Sequence, residues 1–160
     1  MVLAYLRRLL RPWDVPGRYA SLYQRDGKIF VAPQYRTRKG LLYDARPVSV
    51  VDAGDLRAVA GAIETALALS QVNVPNLTPR TRATNGNPVR EAAGGMDWPD
   101  FVQGTGHIAI SDEGRLKLLP FENRGASHGF VASMKSAIIV EDENDLGSAL
   151  REALGRALPG

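Results

Sequence analysis

The feature that most constrains this chain is that it repeats itself. Asp26-Gly27-Lys28-Ile29-Phe30-Val31-Ala32-Pro33 is answered by Glu113-Gly114-Arg115-Leu116-Lys117-Leu118-Leu119-Pro120. Both run acid, glycine, base, a mostly apolar stretch and proline, at an offset of 87. Gly40-Leu41-Leu42-Tyr43 is then answered by Gly129-Phe130-Val131-Ala132, and Val48-Ser49-Val50-Val51 by Ala137-Ile138-Ile139-Val140. Asp55-Leu56 finds its counterpart in Asp145-Leu146, by which point the offset has drifted to 90. A chain that says the same thing twice folds as two copies of one supersecondary unit.

Each part of the unit has a physical reason. An acid-Gly pair between apolar runs is a hairpin signal, because glycine tolerates the positive φ of tight turns. The proline closing the second run lacks a ladder donor, which suits a strand end or an edge. An extended segment follows, and then a helix opens at an acid. Leu56, Val59, Ala60, Ile63, Leu67 and Ser70 form one helical stripe, and Leu146, Ala149, Leu150, Ala153, Leu154, Ala157 and Leu158 form the other. Asp52 or Asp55, and Asn144 or Asp145, are placed to cap them. The expected fold is α+β: a mostly antiparallel sheet with helices packed on it, built from two tandem β-hairpin–extended strand–helix repeats. The copies span about 19–70 and 97–158 of a single 160-residue domain, joined by a long, weakly structured loop at 71–95. Asp97-Trp98-Pro99-Asp100-Phe101 reads as a capped short helix leading into a strand at 106–111.

No cysteine is present, which removes disulfides, zinc-thiolate sites and thiol nucleophiles and points to a reducing, cytoplasmic home. The N-terminal Met1–Arg11 has its charges after and among its apolar residues, so it reads as a short amphipathic helix rather than a secretory signal. Charge is uneven. Residues 1–95 hold 14 Lys+Arg against 7 Asp+Glu, and residues 96–160 hold 6 against 10, so the halves stand at +7 and −4. Oppositely charged faces for a charged partner fit such a distribution.

Catalytic signals are empty. His107 falls mid-strand on the less apolar face, and His128 in the loop Gly125–Gly129, where neighbouring Ser127 would normally point away from it. No metal-ligand spacing and no phosphate-cradling glycine motif occurs, so no cofactor is expected. Asp112 and Glu113 fall in a hairpin turn where solvation accounts for them. Two charged clusters remain. Arg36, Arg38 and Lys39 crowd the loop after the first hairpin, with Arg46 farther on and Arg80 and Arg82 in the long loop; they could contact phosphates while Tyr35 stacks on a base. Glu141, Asp142, Glu143 and Asp145 crowd the start of the last helix, where the dipole favours acids and where a basic protein could dock.

The order and spacing of these parts resemble bacterial contact-dependent growth inhibition immunity proteins. The resemblance rests on Tyr23, Asp26-Gly27-Lys28 and Pro33, on Trp98-Pro99-Asp100-Phe101, and on the strand around His107-Ile108-Ala109-Ile110. Glu113-Gly114 through Pro120 and the Leu146–Leu150 helix complete it, so that it runs from about Tyr19 to Leu158. It implies a non-enzymatic inhibitor in the cytoplasm that binds the C-terminal toxin domain of a large surface effector, often a nuclease, and occludes or distorts it. With a pI of about 9.4, either the binding face is local or the toxin is not strongly basic. The partner-binding residues expected on the local reading are Glu141, Asp142, Glu143, Asp145, Asp112 and Glu113. A small nucleic-acid-binding module using Arg36, Arg38 and Lys39 is the competing reading.

Overall fold

Asp26 and Gly27 both adopt positive φ, +50° and +72°, the backbone of a two-residue turn whose twist matches its flanking strands. That turn joins β1 (Arg18–Arg25) to β2 (Lys28–Thr37). A computed structural model describes residues 17–157; the N-terminal segment expected to be an amphipathic helix, and Leu158 of the last helical stripe, lie outside them. β3 (Leu42–Asp44), β4 (Ser49–Asp52), helix α1 (Leu56–Leu69) and β5 (Gln71–Val74) follow. Three short helices come next: α2 (Pro79–Asn85), α3 (Pro88–Ala92) and α4 (Trp98–Val102). β6 (Gly106–Asp112), β7 (Leu116–Asn123), β8 (Phe130–Ala132), β9 (Ile138–Val140) and α5 (Leu146–Ala157) complete the described chain.

The strands form one sheet ordered β3-β2-β1-β6-β7-β8, with β4 and β5 also on β2 and β9 also on β7. Every pairing but the parallel β2–β5 contact is antiparallel. The same scheme occurs twice. β2 holds β4 along Lys28–Val31 and β3 along Gln34–Arg36. β7 holds β9 along Leu116–Leu118 and β8 along Phe121–Asn123. The halves meet where β1 pairs with β6, centred on Ser21 opposite Ala109. Register refines the sequence comparison: Leu22 faces Val31 as Ile110 faces Leu118, so the offset is 88 on the first strand of each hairpin and 87 on the second.

The prolines do not end their strands as expected. Pro33 lies between the β2 residues that pair with β4 and those that pair with β3, and Pro120 lies likewise between the β9 and β8 pairings. The Pro33 carbonyl accepts from Ala45 N (2.8 Å) on that outer side. An absent N–H is harmless where two short strands leave a gap. Each proline thus marks the seam between the outer strands.

Alternation along the strands gives the sheet two faces. Ala20, Leu22, Ile29, Val31, Ile108, Ile110 and Leu118 pack against Val59, Ala62, Ile63, Ala66 and Leu67 of α1 and Ala149, Leu150, Ala153, Leu154 and Ala157 of α5. Asp55 caps α1, accepting from Ala58 N at 3.0 Å. The cap before α5 is neither Asn144 nor Asp145 but Asp142, which opens a 3-10 turn at Glu143–Asp145 by accepting from Asn144 N. The opposite face carries Phe30 and Ala32, covered by Val89 from the connecting segment and by Phe101 of α4, with Tyr23 and Phe130 against them.

That connecting segment is not the weakly structured loop expected from its prolines. Thr78 and Thr81 form a reciprocal capping box and Pro79 starts α2; Asn87 caps α3, which Pro88 starts. The prolines sit at first helical positions, where a missing N–H would have had no partner anyway. Arg25 Nη1 then donates to the Phe101 carbonyl (3.1 Å) and to that of Gln103, while Asn123 Nδ2 donates to the carbonyls of Val102 (2.7 Å) and Thr105 (2.8 Å). These bonds pin α4 onto the sheet.

Candidate partner-binding surface

One end of the sheet brings together the two charged clusters seen in the sequence. There β1 begins, β2 ends, β6 turns into β7 and β9 ends, as the pairs Arg18–Asp112, Arg36–Leu42 and Leu116–Val140 require. The acidic side is the β6–β7 turn with the β9–α5 connection. Glu113 is exposed and accepts from Tyr19 Oη at 2.5 Å. Burial, and then the Glu113 carboxylate, raise the Tyr19 phenol above its ordinary pKa. Arg115 Nη1 lies 3.8 Å from Glu141 Oε1, tying turn to connection, and Glu143 and Asp145 are exposed beside it. Glu113, Glu141, Asp142, Glu143 and Asp145 therefore share one rim.

Asp112 does not belong to that rim. Its side chain is 0% exposed and lies 2.7 Å from Arg18 Nη2, and it accepts from Gly114 N at 3.3 Å. The expectation of a solvated turn acid fails because the turn is three residues long, Glu113 to Arg115, which leaves Asp112 in the ladder opposite Leu116. Its side chain thereby falls on the helix-covered face with Ile108 and Ile110.

The basic side is the β2–β3 loop. Arg36, Arg38, Lys39 and Gly40 line an open groove of about 360 Å³ with Gly17, Thr37, Val72 and Asn73. The loop is held from within: Gly40 N donates to Thr37 O (2.9 Å) and Leu41 N to Thr37 Oγ1 (3.0 Å). Arg38 N donates to Val74 O (3.1 Å) and Lys39 N to Asn76 Oδ1 (3.0 Å). Gly40 has φ +89°, which a side chain would resist. Among the described residues none of the three cations forms an ion pair. Arg36 also sits over the Tyr19 ring, 5.9 Å from its centroid, so Tyr19 links the basic groove to the acidic rim.

The other basic residues are elsewhere. Arg46 is bonded to Glu91 Oε2 (2.5 Å) and Asn85 O (3.0 Å), and Arg80 and Arg82 sit on α2 away from the groove lining. Tyr35 alternates with Arg36, so it occupies the other face of β2, edge-on to Tyr43 with centroids 5.8 Å apart. A base held by the Arg36 side cannot stack on it.

The two histidines have different surroundings. His128 and Ser127 lie exposed in a loop. His107 is buried, stacked on Tyr23 at 4.3 Å and flanked by Phe121 and Phe130. The face expected to be the less apolar is an aromatic cluster. The His107 Nδ1–H donates to the Leu22 carbonyl at 3.1 Å, and burial pushes the imidazole pKa down to about 4. Beside it Asp44 accepts from Ser21 Oγ (2.6 Å), Gln34 Nε2 (3.0 Å) and Tyr23 Oη (3.0 Å). This network was missed in sequence, because Asp44 and Ser21 are 23 residues apart and only the β1–β2–β3 register joins them. Among the described residues no group of three acids or histidines is arranged to hold a metal ion, and no helix is long and apolar enough to cross a membrane.

No family model matches the chain, and no curated protein matches it in sequence. Solved structures do. A chain of the CdiA-CT/CdiI toxin and immunity complex from Yersinia pseudotuberculosis superposes with a TM-score of 0.69 at 15% identity, covering 89% of this chain and 98% of that one. A protein of unknown function from Neisseria meningitidis superposes with a TM-score of 0.67 at 14% identity, covering 89% and 96%. At such identities the shared property is the fold, and a chain of a contact-dependent growth inhibition toxin and immunity complex has it, in line with the resemblance seen in the sequence.

Proposed function

We propose that this chain is the immunity protein of a contact-dependent growth inhibition pair, a cytoplasmic inhibitor rather than an enzyme. The observation that carries the reading is the superposition on a chain of a toxin and immunity complex, which covers 89% of this chain and 98% of that one. Its partner is the C-terminal toxin domain of a large surface effector, a nuclease, held one to one with its active site occluded. The exposed acids Glu113, Glu141, Asp142, Glu143 and Asp145 meet the basic surface that a nuclease presents to its substrate. Co-expression with the C-terminal domain of the effector encoded beside this chain tests the reading. Growth should be rescued and the two proteins should copurify; a folded, expressed chain that rescues nothing and captures nothing would refute it.

One observation favours a second reading, a nucleic-acid-binding module. Three cations that have no carboxylate partner among the described residues line an open groove. On that reading the isolated chain binds RNA or DNA, and log K falls steeply with log salt.

A further inference from the structure

We infer that the groove lined by Arg36, Arg38 and Lys39 holds a carboxylate-bearing segment of the protein partner, so that the partner is gripped by both signs of charge at one end of the sheet. The inference rests on the immunity reading and adds a second contact to it.

Counter-charge is the first ground. Arg18, Arg25, Lys28, Arg46, Arg115, Arg124 and Arg156 each have a carboxylate within ion-pair distance. Arg57, Arg80, Arg82, Arg90, Lys117, Lys135 and Arg151 have none among the described residues, and neither do Arg36, Arg38 and Lys39; what sets these three apart is that they fall within four positions and line one groove. Like charges packed this closely repel, and an acidic ligand relieves the repulsion. Two of the three are arginines, whose planar fork matches a carboxylate with two parallel bonds.

Rigidity is the second ground. The loop's amides at Thr37, Arg38, Lys39, Gly40 and Leu41 are all bonded, and the Thr37 side chain that anchors the turn is buried. The cations are therefore carried on a frame that is set before the partner arrives, which reduces the ordering cost of binding.

The surroundings favour protein over nucleic acid. Leu41 and Leu42 adjoin the cations at 47% and 38% exposure, apolar surface suited to a peptide side chain. The aromatic ring nearest in sequence, Tyr35, lies on the wrong face to stack a base held there. Glu113 reaches the same end through Tyr19, and its charge repels a phosphate backbone continuing past the groove. A nucleic acid needs a long cationic track, and among the described residues the cations lining the groove are the three of one loop.

The test measures affinity, by calorimetry at two salt concentrations, between this chain and the C-terminal domain of the effector encoded beside it. Arg38→Glu with Lys39→Glu should weaken binding by roughly 100-fold and flatten its salt dependence. The neutral pair Arg38→Gln, Lys39→Gln should give an intermediate loss, and it guards against misfolding of the reversed pair. Arg57→Glu, on the exposed side of α1, should bind within about twofold of the parent, as surface changes away from an interface do. If both double variants bind like the parent, the groove is not a contact, although the immunity reading stands. If the parent itself does not bind, both readings fall together. Binding of a 20-nucleotide oligouridine probe that the double variants abolish would make the groove a nucleic-acid site and overturn the inference.

Discussion

Arg18 and Asp112 are cross-strand partners at the seam between the two halves, with Arg18 Nη2 2.7 Å from a carboxylate oxygen that has no exposure to solvent. The next residue, Glu113, is exposed and bonded only at its tip to Tyr19. Two consecutive acids therefore have opposite consequences. Asp112→Ala leaves the largely sheltered Arg18 without that carboxylate and strips an acceptor from Gly114 N. It should cost about 3 kcal/mol in urea unfolding. Glu113→Ala should cost under ~1 kcal/mol, as exposed polar contacts do. Equal losses for the two would refute the distinction.

What was legible in the sequence was local. The Asp26-Gly27 turn, the helical stripes as far as Leu67 and Ala157, and the repeated order of short strands are written in neighbouring residues, and the structure has each of them, with Ser70 falling just past its helix as the C-cap. What was not legible depends on register. Whether Asp112 lies in the turn or in the ladder depends on a single residue of loop length, and one residue exchanges the faces of a strand. Pro33 and Pro120 read as strand ends because the sequence does not show that each long strand carries two short ones along one edge. The basic loop was visible as composition. Its separation from Arg46, Arg80, Arg82 and Tyr35 needed the fold.

Asp44 is the hub of a buried network, and the two ways of removing its charge should separate. Asp44→Ala leaves the Ser21, Gln34 and Tyr23 donors without their acceptor, two of them at buried or nearly buried positions. The expected loss is on the order of 3 kcal/mol. Asp44→Asn keeps one oxygen for Ser21 and Gln34 and presents an amide to Tyr23 Oη, which can accept. About half that loss is expected, measured by the same denaturant titration. An Asn variant as unstable as the Ala variant would show that the charge, not the acceptor, is what matters.

His107 predicts a pH dependence of definite sign. Its folded pKa of about 4 lies below the ordinary 6.5, chiefly because burial disfavours the charged ring. Between those values the unfolded chain binds the extra proton, so stability falls as pH drops from about 6.5 towards 4. Above that window the contribution is complete. Replacing His107 by Gln removes this titration while leaving the carboxylates of the chain as a common background. The difference between parent and variant should therefore change by roughly 3 kcal/mol across the window. A difference that stays flat with pH would mean that the imidazole is not buried neutral.

Gly106 and Gly27 should both resist alanine, for reasons that a second substitution can separate. A Cβ on Gly106, the first residue of β6, would lie 2.6 Å from the backbone carbonyl oxygen of Ala157, so the end of α5 rests on the bare strand. Gly27 has open space around its missing Cβ but φ +72°. Gly106→Ala should cost about 2 kcal/mol through forced displacement of the helix. Gly27→Ala should cost about 1 kcal/mol through backbone strain alone. Asparagine tolerates the left-handed region, so Gly27→Asn should recover most of the loss at the turn. At Gly106 the obstacle is the Cβ itself, so Gly106→Asn should be at least as damaging as alanine. Thermal melts of the four variants decide the matter: recovery by asparagine at both sites would mean that the helix does not press on the strand at Gly106.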